Sequence, residues 1–311
     1  MGDMARLLLL LWAGVLVSRA VDLQKRIIGG GNCRKDDRGY HVFVKGYDGT
    51  DDFMCGGSLI SDQWILTASH CLQAFVTVYL DVHPGQLVLK NGIPIQSVTQ
   101  VKIYNDSNGY HDIMLVKLPN RTNIRPIKLP SDSECRASRK KVQIAGYGAT
   151  TMGPNNERGN DTPTTLQCAD IPVVNCAGLN THMQNKYPAV YQNKLYQHWF
   201  CGHSSTTCTS GGDSGGGVVH NCRIYGVISF HGNHTHACVE PAGFMDVCNP
   251  DYKKWIKDTC NNIKKLGVSV GLVMIHMQIK NPKPRLKGVR GRISKFRGGN
   301  DQLAEGGVVT E

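Results

Sequence analysis

The chain has 311 residues, 41% of them hydrophobic and 19% charged, with a formal net charge of +11. Its length exceeds one average domain, but all-β folds built from two packed barrels fill roughly 200 to 250 residues as one unit. From residue 261 onward ten basic residues stand against three acidic ones, so the rest of the chain is close to neutral. These values exclude a nucleic-acid-binding domain and favour a single folded domain with additional segments at its ends.

The first 20 residues have the pattern of a secretory signal peptide. Arg6 precedes the apolar run "LLLLLWAGVLV", and the small residues Ser18 and Ala20 occupy the positions that determine cleavage. The run is too short to span a bilayer as a helix, although an uncleaved signal anchor is the alternative. We expect a secreted, extracellular protein whose 12 cysteines are mostly oxidised. The same compartment suits the Asn-x-Ser/Thr sequons at Asn105, Asn120, Asn160 and Asn233.

Short apolar runs of strand length follow between residues 40 and 245 and predict an all-β body. They are "YHVFVKGY", "QWILTAS", "FVTVYLDV", "QLVLK", "KVQIAGYG" and "RIYGVISF". No long stretch has helical periodicity before the segment "PDYKKWIKDTCNNIKKL", which predicts an amphipathic helix with lysines on its polar face. The predicted apolar face of that helix consists of Tyr252, Trp255, Ile256, Thr259 and Ile263.

The tail, residues 261–311, is rich in basic residues and has little apolar surface to bury. It predicts a disordered segment that is too interrupted to span a membrane. A tether to an anionic surface is the alternative interpretation.

Three separated stretches supply the side chains that nucleophilic acyl transfer requires: a hydroxyl, a base, and a group that orients the base. "LTASHC" contains His70, "YHDIML" contains Asp112, and "GGDSGGG" contains Ser214. Each residue alone would more often be structural. Their combination in the order His, Asp, Ser indicates a catalytic triad.

With these motifs, residues 27–260 resemble a trypsin/chymotrypsin-type serine protease. The resemblance implies two packed six-stranded antiparallel β-barrels with a C-terminal α-helix. It also implies that His70 is the general base, that Asp112 orients it, and that Ser214 is the nucleophile. The backbone N–H groups of Gly212 and Ser214 would form the oxyanion hole.

The resemblance extends to activation by proteolysis. The stretch "QKRIIGG" is similar to the activation junction of that family, so residues 21–26 would form a propeptide that is cleaved after Arg26. The new ammonium group of Ile27 would then pair with the carboxylate of Asp213 and assemble the oxyanion hole. The uncleaved precursor is expected to be inactive.

The same resemblance implies five disulfides. The implied pairs are Cys33–Cys168, Cys55–Cys71, Cys135–Cys248, Cys176–Cys201 and Cys208–Cys238. Cys222 and Cys260 remain, and they either bond to each other or leave a thiol for an intermolecular link.

The substrate pocket departs from the pattern of trypsin. The resemblance assigns the pocket to Thr206, Ser229, His231 and Ala242, and the position where trypsin-like cleavage needs a carboxylate is Thr206. A buried guanidinium or ammonium would lack its counter-ion there, so we expect cleavage after small or medium uncharged residues. Two extra residues, Thr209-Ser210, are expected to enlarge the loop at the rim of the pocket.

Three histidines, His231, His234 and His236, lie close together in the sequence beside the predicted pocket. Their spacing would suit an inhibitory Zn²⁺ or Cu²⁺, but a solvated loop is the favoured interpretation. We predict that the protein needs no metal ion and no cofactor.

The sequence thus predicts a monomeric secreted serine endopeptidase made as a zymogen. Its expected partners are polypeptide substrates, an activating protease and protein protease inhibitors, with no nucleic acid and no membrane span. One alternative is a protease-fold binding protein with little turnover that recognises glycans or anionic surfaces. A weaker alternative is an acyltransferase or esterase.

Overall fold

The computed structural model of the chain describes residues 27–47, 49–82 and 89–261. The predicted signal peptide and propeptide lie outside the described residues, as does the tail after residue 261. The strands are β1 (Gly31–Asn32), β2 (His41–Tyr47), β3 (Asp52–Leu59), β4 (Trp64–Thr67), β5 (Phe75–Tyr79), β6 (Ile93–Ile95), β7 (Val101–Asp106), β8 (Gly109–Lys117), β9 (Lys141–Gly146), β10 (Gln167–Val174), β11 (Trp199–Gly202), β12 (Gly217–His220), β13 (Arg223–His231) and β14 (Ala242–Asp246).

The strands form two antiparallel sheets. The first has the order β6-β5-β2-β3-β4-β8-β7, and the second has the order β1-β10-β11-β14-β13-β12-β9. Strand β9 also pairs with β10, which closes six strands of the second sheet into a barrel and leaves β1 as a seventh strand attached to β10. The all-β prediction is confirmed: the second sheet forms the expected six-stranded barrel with β1 added, and the first sheet has seven strands.

The apolar runs in the sequence form the interiors of these sheets. All four residues of β4 are buried, and Ile113, Leu115 and Leu66 are among the fully buried residues of the first core. A separate core of the second sheet includes Ile27 and Phe244. Both cores are built from short strands, and the loops that connect these strands are where functional side chains are expected.

The helices are short. They are a 3₁₀ helix (Ser69–Cys71), α1 (Ser97–Gln100), α2 (Asp132–Arg136), α3 (Ala177–Lys186), α4 (Pro188–Leu195) and α5 over 250–261. No helix among the described residues is long and apolar enough to cross a membrane.

Helices α3 and α4 contradict the expectation that helical structure is confined to the end of the chain. Their sequences have little amphipathic pattern, because α3 buries only Leu179 and Met183 and α4 buries no residue completely. The start of α3 is held by a covalent bond to the rest of the fold, and the helix does not depend on an apolar face of its own. The disulfide Cys176–Cys201 ties the start of α3 to β11.

Helix α5 confirms the predicted C-terminal helix with one difference. Tyr252 and Ile256 are buried in the core of the first sheet, as expected for the apolar face. Lys253 was expected on the solvent face, but it is buried and donates from Nζ to Asp132 Oδ1 at 2.6 Å. Ile263, the last residue assigned to the apolar face, lies outside the described residues.

Five disulfides join the two sheets and their loops. They are Cys33–Cys168, Cys55–Cys71, Cys135–Cys248, Cys176–Cys201 and Cys208–Cys238, the same pairs that the resemblance implies. Cys222 is an exposed free thiol, and Cys260 is a half-buried one. The two are not bonded to each other, and burial raises the pKa of the Cys260 thiol to about 12.

Candidate active site

His70 lies in the 3₁₀ helix that directly follows β4. The next residue, Cys71, is bonded to Cys55 on β3, so the short helix is fixed against the first sheet. The His70 side chain remains 43% exposed. The ring is therefore held by its backbone while one edge faces solvent.

Asp112 on β8 holds the opposite edge of the ring. Its carboxylate is only 5% exposed, and His70 Nδ1 lies 2.9 Å from Oδ2 and 3.0 Å from Oδ1. The backbone N–H of His70 donates to Oδ1 at 3.0 Å, and Ser69 Oγ donates to the same oxygen at 3.1 Å. Ser229 donates from Oγ to Oδ2. This geometry assigns the proton of the neutral imidazole to Nδ1 and leaves Nε2 as a base.

The charge of Asp112 is fixed by these contacts. Burial acts to raise the pKa of Asp112, but the hydrogen bond and charge of His70 together with the charge of Lys194 outweigh it. The pKa of Asp112 therefore lies well below its ordinary value. The carboxylate is therefore ionised at neutral pH, and it can stabilise an imidazolium formed during a reaction.

Lys194 on α4 is a part of this cluster that sequence reasoning missed. Its Nζ lies 2.9 Å from Asp112 Oδ2, 3.2 Å from Ser229 Oγ and 5.1 Å from the centre of the Phe230 ring. Gln197, just beyond the same helix, accepts the backbone N–H of Asp112 at 2.9 Å. No motif surrounds these two residues, and the helix that presents Lys194 has no sequence signature, so no signal in the sequence points to them.

The turn that carries Ser214 packs against the segment that leads to His70. Gly215 has φ of +79°, and a Cβ there would lie 2.2 Å from Thr67 Oγ1 and 2.4 Å from the carbonyl oxygen of Gly56. The carbonyl oxygen of Ser214 accepts the N–H of Gly56 at 2.7 Å. Only glycine permits this approach, which brings the turn beside the end of β4.

The same turn exposes unsatisfied backbone donors. Gly212 has φ of +96°, and within the described residues neither its N–H nor that of Ser214 donates to a protein acceptor. Two free N–H groups on one turn are the arrangement that stabilises a developing oxyanion. The Ser214 hydroxyl makes no hydrogen bond to a described residue, and such bonds are commonly long before substrate binds.

Asp213 is the buried anchor of the turn. It is completely buried, and its carboxylate accepts the backbone N–H groups of Gly148 and Ser210, each at 2.8 Å. No ion pair reaches it from the part of the chain that the structure describes. Burial therefore raises its pKa to about 6, an effect that the two hydrogen bonds and the charge of Arg158 offset only in part.

The predicted activation residue Ile27 is buried in the core of the second sheet. The adjacent Ile28 pairs with Cys208, whose N–H donates to the Ile28 carbonyl at 3.0 Å. In the uncleaved chain Ile27 has a neutral peptide N–H and no ammonium group. The other activation residue, Arg26, lies outside the described residues.

The predicted pocket residues are only partly brought together. Ser229 is buried against Asp112, and His231 pairs with Ala242 across β13 and β14. Thr206 is exposed, with its hydroxyl 3.3 Å from Ser204 Oγ, and is not buried beneath the other three.

The extra residues Thr209-Ser210, predicted to enlarge the loop at the rim of the pocket, are buried in the structure. They are 1% and 3% exposed. The reason is that Ser210 donates its N–H to the buried carboxylate of Asp213, which draws the insertion inward.

Arg158 is a second residue that sequence reasoning missed. It donates from Nη1 to the Thr209 carbonyl at 2.7 Å and from Nε to the Asn233 carbonyl at 3.0 Å. Its segment also pairs with the loop after β13, where the N–H of Arg158 donates to Thr235. The Arg158 cation thus lies between the loop that contains Thr209-Ser210 and residues 231–236, which contain the three histidines and are called the histidine loop below.

The histidine loop has no complete set of metal ligands. The rings of His231 and His234 are 5.1 Å apart, and His236 Nδ1 is hydrogen-bonded to Thr235. Burial, followed by the charge of Arg158, lowers the pKa of His231 to about 3, so this ring is neutral. The one group of three potential ligands among the described residues is Cys55, His70 and Cys71, and its two cysteines are bonded to each other.

Comparisons with known proteins identify the family of the chain. The family model described as Trypsin matches residues 27–256. Serine protease 1 of Homo sapiens is 32% identical over 267 residues, covering 81% of this chain and 97% of the relative. Trypsin-3 of Salmo salar is 30% identical over 254 residues, covering 78% and 95%.

Solved structures give the same result. Neuropsin, a serine protease expressed in the limbic system of mouse brain, has a TM-score of 0.56 and 28% identity, covering 74% of this chain and 98% of neuropsin. HL collagenase has a TM-score of 0.59 and 26% identity, covering 76% and 99%. The protein is a serine endopeptidase that acts on polypeptides, and the chain belongs to the trypsin family.

Proposed function

We propose that this protein is a secreted serine endopeptidase that works through His70, Asp112 and Ser214. The observation that carries the proposal is the buried, ionised Asp112 held against His70 Nδ1 at 2.9 Å. The ring is thereby aligned with Nε2 as the base. Further support comes from the glycine turn of Ser214, which packs against the strand that ends beside His70.

In the proposed reaction Ser214 Oγ attacks the carbonyl carbon of the scissile bond, and its proton passes to His70 Nε2. The N–H groups of Gly212 and Ser214 stabilise the oxyanion, and Asp112 stabilises the imidazolium. His70 then returns the proton to the leaving amine as the C–N bond breaks. Water hydrolyses the acyl ester by the same sequence of proton transfers and restores the Ser214 hydroxyl.

We also propose activation by cleavage after Arg26. Asp213 is fully buried with its pKa raised to about 6, so its ionised form lacks a compensating charge in the uncleaved chain. An ammonium group on Ile27 would supply that charge. A buried ion pair with complete hydrogen bonding is worth several kcal/mol relative to an unpaired carboxylate, which is enough to reorganise a turn.

The specificity is proposed to favour small or medium uncharged residues at the position before the scissile bond. No carboxylate occurs between Phe200 and Gly212, and Arg158 adds a positive charge beside the carbonyl of Thr209. A substrate Arg or Lys would meet this cation without a counter-ion. A fluorogenic peptide library tests this, and strong selectivity for Arg or Lys contradicts it.

Secretion is proposed from the N-terminal pattern and the five disulfides, which require an oxidising compartment. Asn105, Asn120 and Asn160 are exposed and accessible to glycosylation, whereas Asn233 is half-buried. An activating protease and protein protease inhibitors are the proposed partners of a monomeric enzyme.

A fluorophosphonate probe tests the proposed function. The chain cleaved after Arg26 should be labelled, and the uncleaved chain should not. Ser214→Ala removes the labelled atom, and His70→Ala removes the base, so both cleaved variants should remain unlabelled. Failure of the cleaved wild-type chain to react would refute the proposed turnover and favour the binding-protein alternative. Hydrolysis of esters without any peptide cleavage would indicate the esterase alternative.

A further inference from the structure

Lys194 places an ammonium group against the carboxylate that orients the proposed base. Asp112 Oδ2 accepts from His70 Nδ1, Lys194 Nζ and Ser229 Oγ. The Lys194 side chain is 16% exposed, and that of Asp112 is 5% exposed. The negative charge of Asp112 is therefore already compensated before His70 takes up a proton.

The Lys194 ammonium has little freedom to leave this position. Besides Asp112 it contacts Ser229 Oγ at 3.2 Å, and the face of the Phe230 ring lies 5.1 Å away. A cation held over an aromatic face and against a buried carboxylate has two favourable electrostatic partners. The contact is thus a fixed part of the cluster.

Lys194 and a protonated His70 would both pair with the single negative charge of Asp112. Lys194 Nζ and His70 Nδ1 each lie 2.9 Å from the same oxygen, so they are no more than about 6 Å apart. Without Lys194, an imidazolium on Asp112 would form a neutral pair. With Lys194 present, protonation of His70 leaves the cluster with a net positive charge.

We propose that Lys194 is a positioning residue which acts through Asp112. It keeps His70 unprotonated, and therefore able to act as a base, at a lower pH than the His70–Asp112 pair alone would allow. The inference rests on the proposed function only in that it treats His70 as the base. Two charges about 6 Å apart near a protein surface interact strongly enough to move a titration by more than one pH unit. Solvent at the half-exposed ring screens part of this, which leaves an expected effect of about one pH unit.

The other groups around the cluster do not supply this charge. Ser69, Ser229 and Gln197 are neutral, and His231 is neutral because its pKa is lowered to about 3. Among the described residues, Lys194 is the one lysine or arginine paired with Asp112.

On the far side of β8, burial lowers the pKa of His111, which contacts Asp106. Burial also raises the pKa of Tyr252 well above its ordinary value, so Tyr252 stays neutral. On the Ser214 turn, the pKa of Asp213 is raised to about 6 by burial, and the cation of Arg158 lies nearby. Asp213 titrates in the same range as an imidazole. The loss of activity at acidic pH would therefore report the protonation of both Asp213 and His70, so His70 has to be observed directly.

The experiment is an NMR titration of the full chain with ¹³C-labelled histidine, from about pH 4 to about pH 9. The Cε1–H signal of His70 is assigned by its loss in His70→Gln. In Lys194→Met the midpoint of this signal should rise by about one pH unit. In Lys194→Arg, which keeps the charge, it should stay near the wild-type value. Lys186→Met removes an exposed lysine from the neighbouring helix and should also leave it unchanged.

An unchanged midpoint in Lys194→Met overturns the proposal, and so does an equal shift in Lys186→Met. If Lys194→Met does not fold, Lys194→Gln is the second neutral variant and carries the same expectation. The titration does not require turnover, so an inactive protein would refute the proposed function without deciding the role of Lys194. In an active cleaved enzyme, the acid limb of kcat/KM should move to higher pH in the neutral variants and stay in place in Lys194→Arg.

Discussion

The buried carboxylate of Asp213 should contribute a loss of stability to the uncleaved chain as pH rises from mildly acidic to neutral values. Its pKa is raised from 3.8 to about 6 by complete burial. The folded state therefore binds a proton at higher pH than the unfolded state does. The contribution of this group to the free energy of unfolding is fully present below about pH 4 and is lost as pH rises through about 6.

The size of the effect follows from the shift. Each pKa unit corresponds to about 1.4 kcal/mol, so a displacement from 3.8 to about 6 amounts to about 3 kcal/mol between pH 4 and pH 7. Because the group is fully buried, no discount for solvent exposure applies. Asp213→Asn should remove this pH dependence, whatever constant cost follows from placing an amide against the N–H groups of Gly148 and Ser210.

The assay is urea denaturation of the uncleaved chain at several values of pH, with Ser214→Ala present throughout to prevent autolysis. Asp170→Asn is the control, because Asp170 is exposed and its replacement changes the charge equally. The change in free energy of unfolding from acidic to neutral pH should become about 3 kcal/mol more favourable in Asp213→Asn than in the parent chain, and should stay at the parent value in Asp170→Asn. Equal pH dependence in Asp213→Asn and the parent chain would refute the reasoning.

Two further substitutions test the site. Asp112→Asn should lower kcat of the cleaved enzyme by about 10⁴-fold, the size known for loss of this carboxylate in Ser-His-Asp triads, with little change in KM; a loss below tenfold would contradict the assigned role. Gly148→Ala would place a Cβ 2.6 Å from the carboxyl carbon of Asp213, so activation should be lost and the free energy of unfolding should fall by about 1–3 kcal/mol. Gly178→Ala on α3 is its control, since a Cβ there meets nothing within 4 Å, and it should be neutral or stabilising in the same denaturation assay.

The strands, and the local surroundings of His70 and Ser214, were predictable because each has a local signature in the sequence. The run "WILT" forms β4 with all four residues buried, and "RIYGVISF" lies within β13. The motif around His70 is positioned by a disulfide of small sequence separation, and the glycines around Ser214 are required by a close backbone approach. The disulfide joins residues near in sequence, and the glycines form a recognisable motif even though the residues they approach, Thr67 and Gly56, are distant along the chain.

The unpredicted parts depend on contacts between distant residues. Lys194 is 82 positions from Asp112, and Arg158 is 51 positions from Thr209, so neither pair has a sequence spacing that could identify it. Helix α4 has no residue buried completely, and its periodicity is correspondingly weak. The burial of Thr209-Ser210 is an exception: the hydrogen bond from Ser210 to Asp213 spans only three positions, but it forms in the folded turn and has no signature in the sequence.

The central claim is that Ser214 forms a covalent acyl intermediate once the chain has been cleaved after Arg26. The most direct measurement starts by mixing the cleaved enzyme with an activated ester substrate and stopping the reaction at acidic pH. The protein is then digested, and the acyl group is located by mass spectrometry. The account predicts an adduct on the peptide that contains Ser214, and none in the uncleaved chain or in Ser214→Ala. An adduct on another residue, or turnover without any adduct on Ser214, would contradict it.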